Sequence, residues 1–521
     1  MIRLSGKNEK KYYITTPIYY PNALPHIGTS FTTFVADFMA RFKRSQGHEV
    51  FFLTGNDEHG MKLVRAAEEN GMGAKEFVDK QAEAFRQVWA KFGITYDRFI
   101  RTTDPDHEET VKQIFQKIYD KGDIYKGYYE GFYCVGCEQY YTEKELEEGN
   151  VCPIHKKPLE ILRMESYFFK LSEYQDKLLK FYEDNKDFLP ERYATELTNR
   201  VKEGLKDVSV SRPKEYLSWG VEIPFDKNHV TYVWFDALLN YVTGAGYQEG
   251  PDKFSERWPA DVHFIGKDIQ WFHGVIWPAM LMSAGIEPPK RLGIHGFLTV
   301  NGQKISKSLG NAVDPVAICD EYGTHDVLRY YLLREVPFGP DGDFSHAALK
   351  ERYNKELVNE YGNLVNRVFV MFSKYCSGEG QSGKEGGQNK GELDLKLAEG
   401  LDKAIKEYAD HVDKLEFKQA VDNIWLLVSR ANAYINEKEP WKMGKENPEE
   451  AAKVVRSLVE YLGILNSVLA PLLPQSSERL ADHLGLKGGK PIPISELKPF
   501  GQNVDLARAK KEGLILYARK E

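Results

Sequence analysis

Apolar positions change period repeatedly along the first 118 residues. Residues 10–20 (KKYYITTPIYY) carry the β-branched and aromatic run of a strand, and Phe31, Phe34, Val35, Phe38 and Met39 then recur at helical spacing. The stretch EVFFLTG (49–55) reads as a short buried strand and residues 74–92 as an amphipathic helix. This alternation predicts a doubly wound, Rossmann-like parallel sheet, with ligands at the carboxyl ends of its strands. From 119 to about 230 the pattern breaks into aromatic runs such as YKGYYEGFY and short strand-like pieces, which predicts an inserted domain. It resumes with HVTYVWFDALLNYV and DVHFIGKDIQWFHGVIWPAML, each read as a strand leading into a helix. One sheet is thus expected to be split, with halves at 1–118 and 231–297, an insertion at 119–230 and a further region at 298–352.

Beyond about 350 the period becomes helical. Leu401, Ile405, Tyr408, Val412 and Leu415 fall on one face, as do Val421, Ile424, Leu427 and Val428, and then Val455, Leu458, Leu462 and Leu465. A helix bundle over 353–486 is predicted, interrupted at 377–392 by SGEGQSGKEGGQNKGE, which reads as a flexible surface loop. The tail spans 487–521, and its part after HLGLKGGKPIPI (483–494) is basic and is expected to be helical.

The 521 residues leave room for several domains and a large core. A net charge of −7 argues against a broadly basic nucleic-acid coat without excluding a local basic surface. No apolar run suggests a membrane span, and the start, MIRLSGKNEKKYY, has no signal-peptide core, so a cytoplasmic location is the default expectation. Five cysteines in so long a chain do not make a disulfide framework.

Three of those cysteines cluster in the insertion. Cys134 and Cys137, then Cys152 and His155, repeat one short gap and can bring three thiolates and an imidazole around a structural zinc ion; reduced surface cysteines are the alternative. Cys319 and Cys376 stand alone and read as buried small residues.

Two motifs suggest phosphate chemistry. The His26-Ile27-Gly28 turn lies between the first strand and its helix, where backbone N–H groups and the helix dipole favour an anion. His26 there could donate to a phosphate oxygen, or serve only as a surface or capping residue. In HGFLTVNGQKISKSLGN, Lys304 and Lys307 follow an Asn-Gly turn and suit a triphosphate whose charge rises during attack, or form a solvated basic loop.

Taken together with ITTPIYYPNALPHIG, FLTGNDEHG, YVWFDALLNY, HFIGKDIQWFHGVIWPAML and GNLVNRV, these motifs resemble, in family order and along nearly the whole chain, class I aminoacyl-tRNA synthetases of the methionyl branch. The resemblance implies ligation of L-methionine to tRNA(Met) through methionyl-adenylate, with ATP and Mg2+ as substrate. It implies ATP contacts from His26, Gly28, Thr29, Asp268, Lys304 and Lys307, with His26, Lys304 and Lys307 serving the chemistry. It also implies a methionine pocket of Tyr20, Asp57, Trp234, Ala237, Tyr241 and His273, and anticodon readers Asn363, Arg367 and Trp441. Aromatic walls suit a thioether, Asp57 suits an α-ammonium, and an exposed aromatic suits a splayed base. Thr29 stands where the family signature commonly has a second histidine, and a hydroxyl donates a hydrogen bond but carries no charge. A chain ending soon after the bundle leads to the expectation of a monomer. The rival readings are a class I synthetase for another amino acid, a non-catalytic RNA-binding protein on the same scaffold, and a small nucleotidyltransferase.

Overall fold

The computed structural model describes residues 11–134, 139–141, 146, 150–152, 157–304, 313–376 and 393–521. Its centre is a five-stranded, all-parallel sheet. The first three strands are β1 (Lys11–Tyr19), β2 (Glu49–Asn56) and β3 (Arg98–Arg101), and the remaining two are Val262–Gly266 and Leu292–His295. The order across the sheet is Leu292–His295, Val262–Gly266, β1, β2, β3. The chain therefore reverses its direction of growth beside β1, and ligands of such sheets bind at that point outside the carboxyl ends.

Glycine is required where neighbours close in. A Cβ on Gly55 of β2 would lie 1.9 Å from the Ile100 carbonyl oxygen. Helix α1 (Ile27–Ser45) buries Phe31, Phe34, Val35, Phe38 and Met39 on one face of the sheet, in a core that runs on into the helical domain. Asp37 of α1 meets Arg329 at 2.6 Å, both fully buried. Burial pushes the Asp37 carboxyl up, but Arg41 and Arg329 outweigh it and hold the group well below the usual carboxylate range. The opposite face packs against helices Pro105–Asp120, Val233–Leu238 and Trp277–Ala284 and the helices of the insertion.

Between β3 and Val262 the chain makes a four-stranded antiparallel sheet built on Ile124–Cys134 and Glu160–Phe169. Two readings from the sequence change here. The strand in HVTYVWFDALLNYV, Asp226–Thr231, is not part of the central sheet; it pairs antiparallel with Ser211–Pro213 and Glu222–Ile223. Its alternation signalled a strand but could not say which sheet would satisfy its backbone. The tail is also not helical: apart from short turns at 487–489 and 494–496 it runs irregularly over the bundle. Side chains of the bundle satisfy its backbone instead. Buried Glu460 accepts from the N–H groups of Gly501, Asn503 and Val504, each at 2.9 Å, and Arg479 donates to the carbonyls of Ile515 and Leu516. The stretch 377–392 lies outside the described residues.

The bundle contains Asn363–Tyr375, Leu401–Asp413, Phe417–Lys438 and Pro448–Leu469, each with an apolar face turned to a shared core. No helix among the described residues is long and apolar enough to cross a membrane.

Candidate active site

Four loops converge at the carboxyl edge of the sheet: those after β1, β2 and Val262–Gly266, and the end of Leu292–His295. After β1, Pro25 and His26 turn the chain into α1. The His26 Nδ1 caps the helix, accepting from the N–H groups of Gly28 at 3.1 Å and Thr29 at 3.3 Å. Because Nδ1 accepts, the ring proton sits on Nε2, which lies 3.2 Å from the Thr29 hydroxyl. A Cβ on Gly28 would press on the imidazole at 3.1 Å, so glycine keeps that ring in place. The first turn of α1 holds no acidic residue and the last holds Lys43 and Arg44, a charge distribution that follows the helix dipole and leaves the N-terminal end receptive to an anion.

After β2, Asp57 is anchored by its own N–H to the Tyr19 carbonyl at 2.9 Å and is 4% exposed. Among the described residues its buried Oδ1 has no hydrogen-bond partner. Burial and, next, the neighbouring Asp236 push the Asp57 carboxyl well above the ordinary range, against the opposing pull of the His59 N–H and the Tyr20 hydroxyl. An unmet acceptor held at such cost is a place for a cationic ligand.

The aromatic residues meet one another. Trp234 stacks on Phe272 with ring centroids 3.8 Å apart, and its ring lies edge-on to His273 at 6.4 Å. The Tyr241 hydroxyl is 2.7 Å from His273 Nε2, and His273 Nδ1 donates to the Ile269 carbonyl at 3.0 Å, which makes the tyrosine the donor in the first bond. Burial pushes His273 down to about 4, so it is neutral near pH 7. Five residues of π-helical geometry, Phe272–Ile276, aim this ring; such bulges recur at functional sites. Ala237 is buried one turn from Trp234 in the same helix, and Tyr241 stacks on His263 at 4.1 Å.

Exposed Asp268 follows the strand Val262–Gly266 and lines a cleft of about 900 Å³ with Lys267, Gln270, Phe297 and Asp341. The hairpin Leu298–Val300 to Gln303–Lys304 begins at its rim. Lys304 ends that hairpin strand, while Lys307 lies outside the described residues.

Sequence reasoning did not single out His295, His59, His107 or Asp236. His295 ends its strand, takes a 2.6 Å bond with Thr32 of α1 and points Nδ1–H at the Gly296 carbonyl, fixing α1 to the sheet edge. The HGF stretch contained the signal, because it puts a histidine at a strand's carboxyl end, the edge where ligands of such sheets bind. The other three meet far from one another in sequence. Asp236 accepts from His59 Nδ1 at 2.6 Å and from His107 Nε2 at 2.8 Å.

In the insertion, Cys134 and Cys152 are both buried and share a small cluster with Phe132, Leu146 and Leu159. Cys137 and His155 lie outside the described residues. Among the described residues the acidic–histidine cluster Glu165, Asp226 and His229 also draws together, but the Lys126 ammonium occupies it, 2.7 Å from Glu165 and 3.3 Å from Asp226. In the bundle, Asn363 is exposed, and the Arg367 guanidinium lies 5.5 Å from the ring centre of Trp441, which is 37% exposed.

A split parallel sheet with a capped histidine–glycine turn at its switch point, followed by a helical bundle, is the arrangement of a class I tRNA synthetase. The comparisons agree. Residues 12–158 and 144–369 match the family described as tRNA synthetases class I (M), and 385–494 match the anticodon binding domain of methionyl tRNA ligase. The methionine--tRNA ligase of Caldanaerobacter subterraneus subsp. tengcongensis is 47% identical over 98% of this chain and 79% of its own length. That of Thermotoga maritima is 46% identical over 90% of this chain and 74% of its own length. The Mycobacterium tuberculosis methionyl-tRNA synthetase, solved in complex with methionyl-adenylate, superposes with a TM-score of 0.88 at 37% identity, covering 98% of this chain and all of that one. The chain belongs to the methionine--tRNA ligase family and is an enzyme of that class.

Proposed function

We propose that the cleft at the sheet's carboxyl edge holds L-methionine and ATP side by side and forms methionyl-adenylate, and that the methionyl group then passes to the terminal ribose of tRNA(Met), releasing AMP. The observation that carries this reading is the buried Asp57 Oδ1, without a hydrogen-bond partner among the described residues, together with the Trp234–Tyr241–His273 aromatic group. A carboxylate so placed suits an α-ammonium, and neutral, polarizable walls suit a thioether. Tyr20 steadies Asp57, and Ala237 leaves room in the wall.

The methionine carboxylate is ionised at neutral pH, so its attack on the α-phosphorus needs no general base. Catalysis rests on position and charge. His26, already protonated on Nε2 by its capping role, donates to a phosphate oxygen at the start of α1, with Gly28 and Thr29 beside it. Asp268 takes the nucleotide ribose, and Lys304 and Lys307 neutralise charge on the departing pyrophosphate; Mg2+ arrives with ATP. Asn363, Arg367 and Trp441 read the anticodon, with Trp441 as the stacking platform.

The burial of Cys134 and Cys152 in one cluster suits zinc ligation together with Cys137 and His155. A zinc ion there is structural: it ties two chain segments of the insertion together and takes no part in a step. The domain limits 1–118, 119–230, 231–297, 298–352, 353–486 and 487–521, a cytoplasmic location and a monomeric state belong to the same reading.

The test uses two fragments of the substrate as competitors in methionine-dependent pyrophosphate exchange. Methioninol keeps the ammonium and 4-(methylthio)butanoate keeps the carboxylate. Competition by methioninol, abolished in Asp57→Asn, is expected; stronger competition by the amine-free acid would overturn the assignment of Asp57.

A further inference from the structure

The buried trio of Asp236, His59 and His107 touches no reactant in this reading, yet it is the most concentrated ionic cluster behind the methionine pocket. Asp236 is fully buried, and both of its oxygens are committed, Oδ2 to His59 at 2.6 Å and Oδ1 to His107 at 2.8 Å. The three residues come from three elements: the loop after β2, helix Pro105–Asp120 and helix Val233–Leu238. His59 is two residues from Asp57, and its main-chain N–H favours the ionised Asp57 carboxylate. Trp234, a wall of the pocket, precedes Asp236 in the same short helix. One carboxylate thus fixes both the ammonium acceptor and an aromatic wall.

We propose that Asp236, through His59, is the positioning residue of the methionine ammonium site: it locks the 57–60 loop so that the His59 N–H holds Asp57 in aim, and the two imidazoles offset part of its charge so that less of it opposes ionisation of Asp57. This rests on Asp57 being the ammonium acceptor.

The electrostatics follow the geometry. Asp236 already pushes the Asp57 carboxyl up, and without its imidazole partners it would push it further. Burial pushes the Asp236 carboxyl up, but His59 and His107 hold it down at about 2. Burial lowers the His59 imidazole, but Asp236 outweighs it and raises the ring toward its charged form. The other groups facing the cluster are few. Glu58 is bound by Arg101 and Thr103, Glu108 adds a distant negative charge beside His59, Thr243 lies 3.1 Å from His107 Nδ1, and the Trp219 ring covers His59 edge-on. None of them supplies a second cation to Asp236.

Two substitutions separate aim from charge. His59→Ala removes both, whereas His59→Asn keeps an amide N–H near the place of Nδ1 and loses only the charge. In pyrophosphate exchange at pH 8, His59→Ala is expected to raise KM for methionine about tenfold, the effect of losing one charge-assisted hydrogen bond, with kcat and KM for ATP within about threefold. His59→Asn is expected to recover most of that loss at pH 8. Its kcat/KM for methionine should then fall at higher pH than in the parent enzyme as the solution is acidified, because Asp57 protonates earlier beside an Asp236 that has lost one offsetting imidazole. Equal losses in kcat and in KM for ATP, or an acid limb that does not move in His59→Asn, would show a merely structural trio and overturn the proposal. Asp57→Asn is measured alongside: a large rise in methionine KM there, with no effect at His59, refutes the trio's role alone, whereas an unchanged KM in Asp57→Asn refutes the ammonium site and the proposal together.

Discussion

The proposed amino-acid cleft and the proposed anticodon face of the helical bundle, around Arg367 and Trp441, both present aromatic and charged side chains, but they hold them in opposite ways. In the cleft the buried histidines are tied down: His273 between Tyr241 and the Ile269 carbonyl, His263 2.7 Å from the Thr15 hydroxyl and stacked on Tyr241, His295 between Thr32 and the Gly296 carbonyl. In the bundle Trp441 is exposed and Arg367 partly so, with the guanidinium 5.5 Å from the ring centre and 3.5 Å from Asn436. A small ligand must be recognised against near-isosteres, and a fixed cavity with paired polar atoms serves that purpose. A splayed RNA base is caught by an accessible ring that pays little desolvation cost when it stacks. Substitutions in the cleft should therefore disturb both methionine kinetics and stability, and those on the proposed anticodon face should disturb tRNA alone.

Four substitutions can break that division. The largest effect is expected from Asp57→Asn, which leaves the substrate ammonium without its ionised partner: kcat/KM for methionine in pyrophosphate exchange should fall roughly 10- to 150-fold, with KM for ATP unchanged. Lys307→Ala should slow adenylate formation by more than about tenfold with little change in methionine affinity, read by single-turnover kinetics. Trp441→Ala should leave pyrophosphate exchange intact while kcat/KM for tRNA charging drops about tenfold, the value of one stacking contact of about 1–3 kcal/mol. Equal loss of both activities would place Trp441 in the general fold instead.

The smallest effect concerns stability and pH. His273 is held neutral at about 4 by burial, whereas a histidine in the unfolded chain titrates near 6.5. The unfolded chain therefore takes up the proton first, and stability is complete above about pH 6.5 and declines as pH falls toward 4. His273 can contribute up to on the order of 3 kcal/mol of that decline. Urea unfolding at pH 7 and pH 5 should show a smaller difference in His273→Gln than in the parent. Trp441→Ala should leave the difference unchanged.

The same contrast explains what was legible in the sequence. The parallel sheet could be read because each strand and helix carries its own period, as in KKYYITTPIYY and the Phe31–Met39 face. The phosphate turn and the lysine motif could be read because their residues are adjacent in the chain. The trio could not: Asp236 is 177 positions from His59 and 129 from His107, and only the sheet's topology brings them together. His295 was passed over for a different reason, since one histidine at a strand end gives no spacing to count. The tail misled because its composition is helical in character, while what decides its shape is Glu460 and Arg479 of the bundle capturing its backbone. The strand Asp226–Thr231 misled because alternation marks a strand and leaves its partner open.

The most direct test of the division between cleft and anticodon face is amino-acid-dependent exchange of labelled pyrophosphate into ATP, run with each of the twenty amino acids and no tRNA. A cleft already assembled by its own buried hydrogen bonds should support exchange with methionine alone, with Thr29 in place of the second signature histidine and without any RNA. Exchange with none of the twenty, or with an amino acid other than methionine, would contradict it.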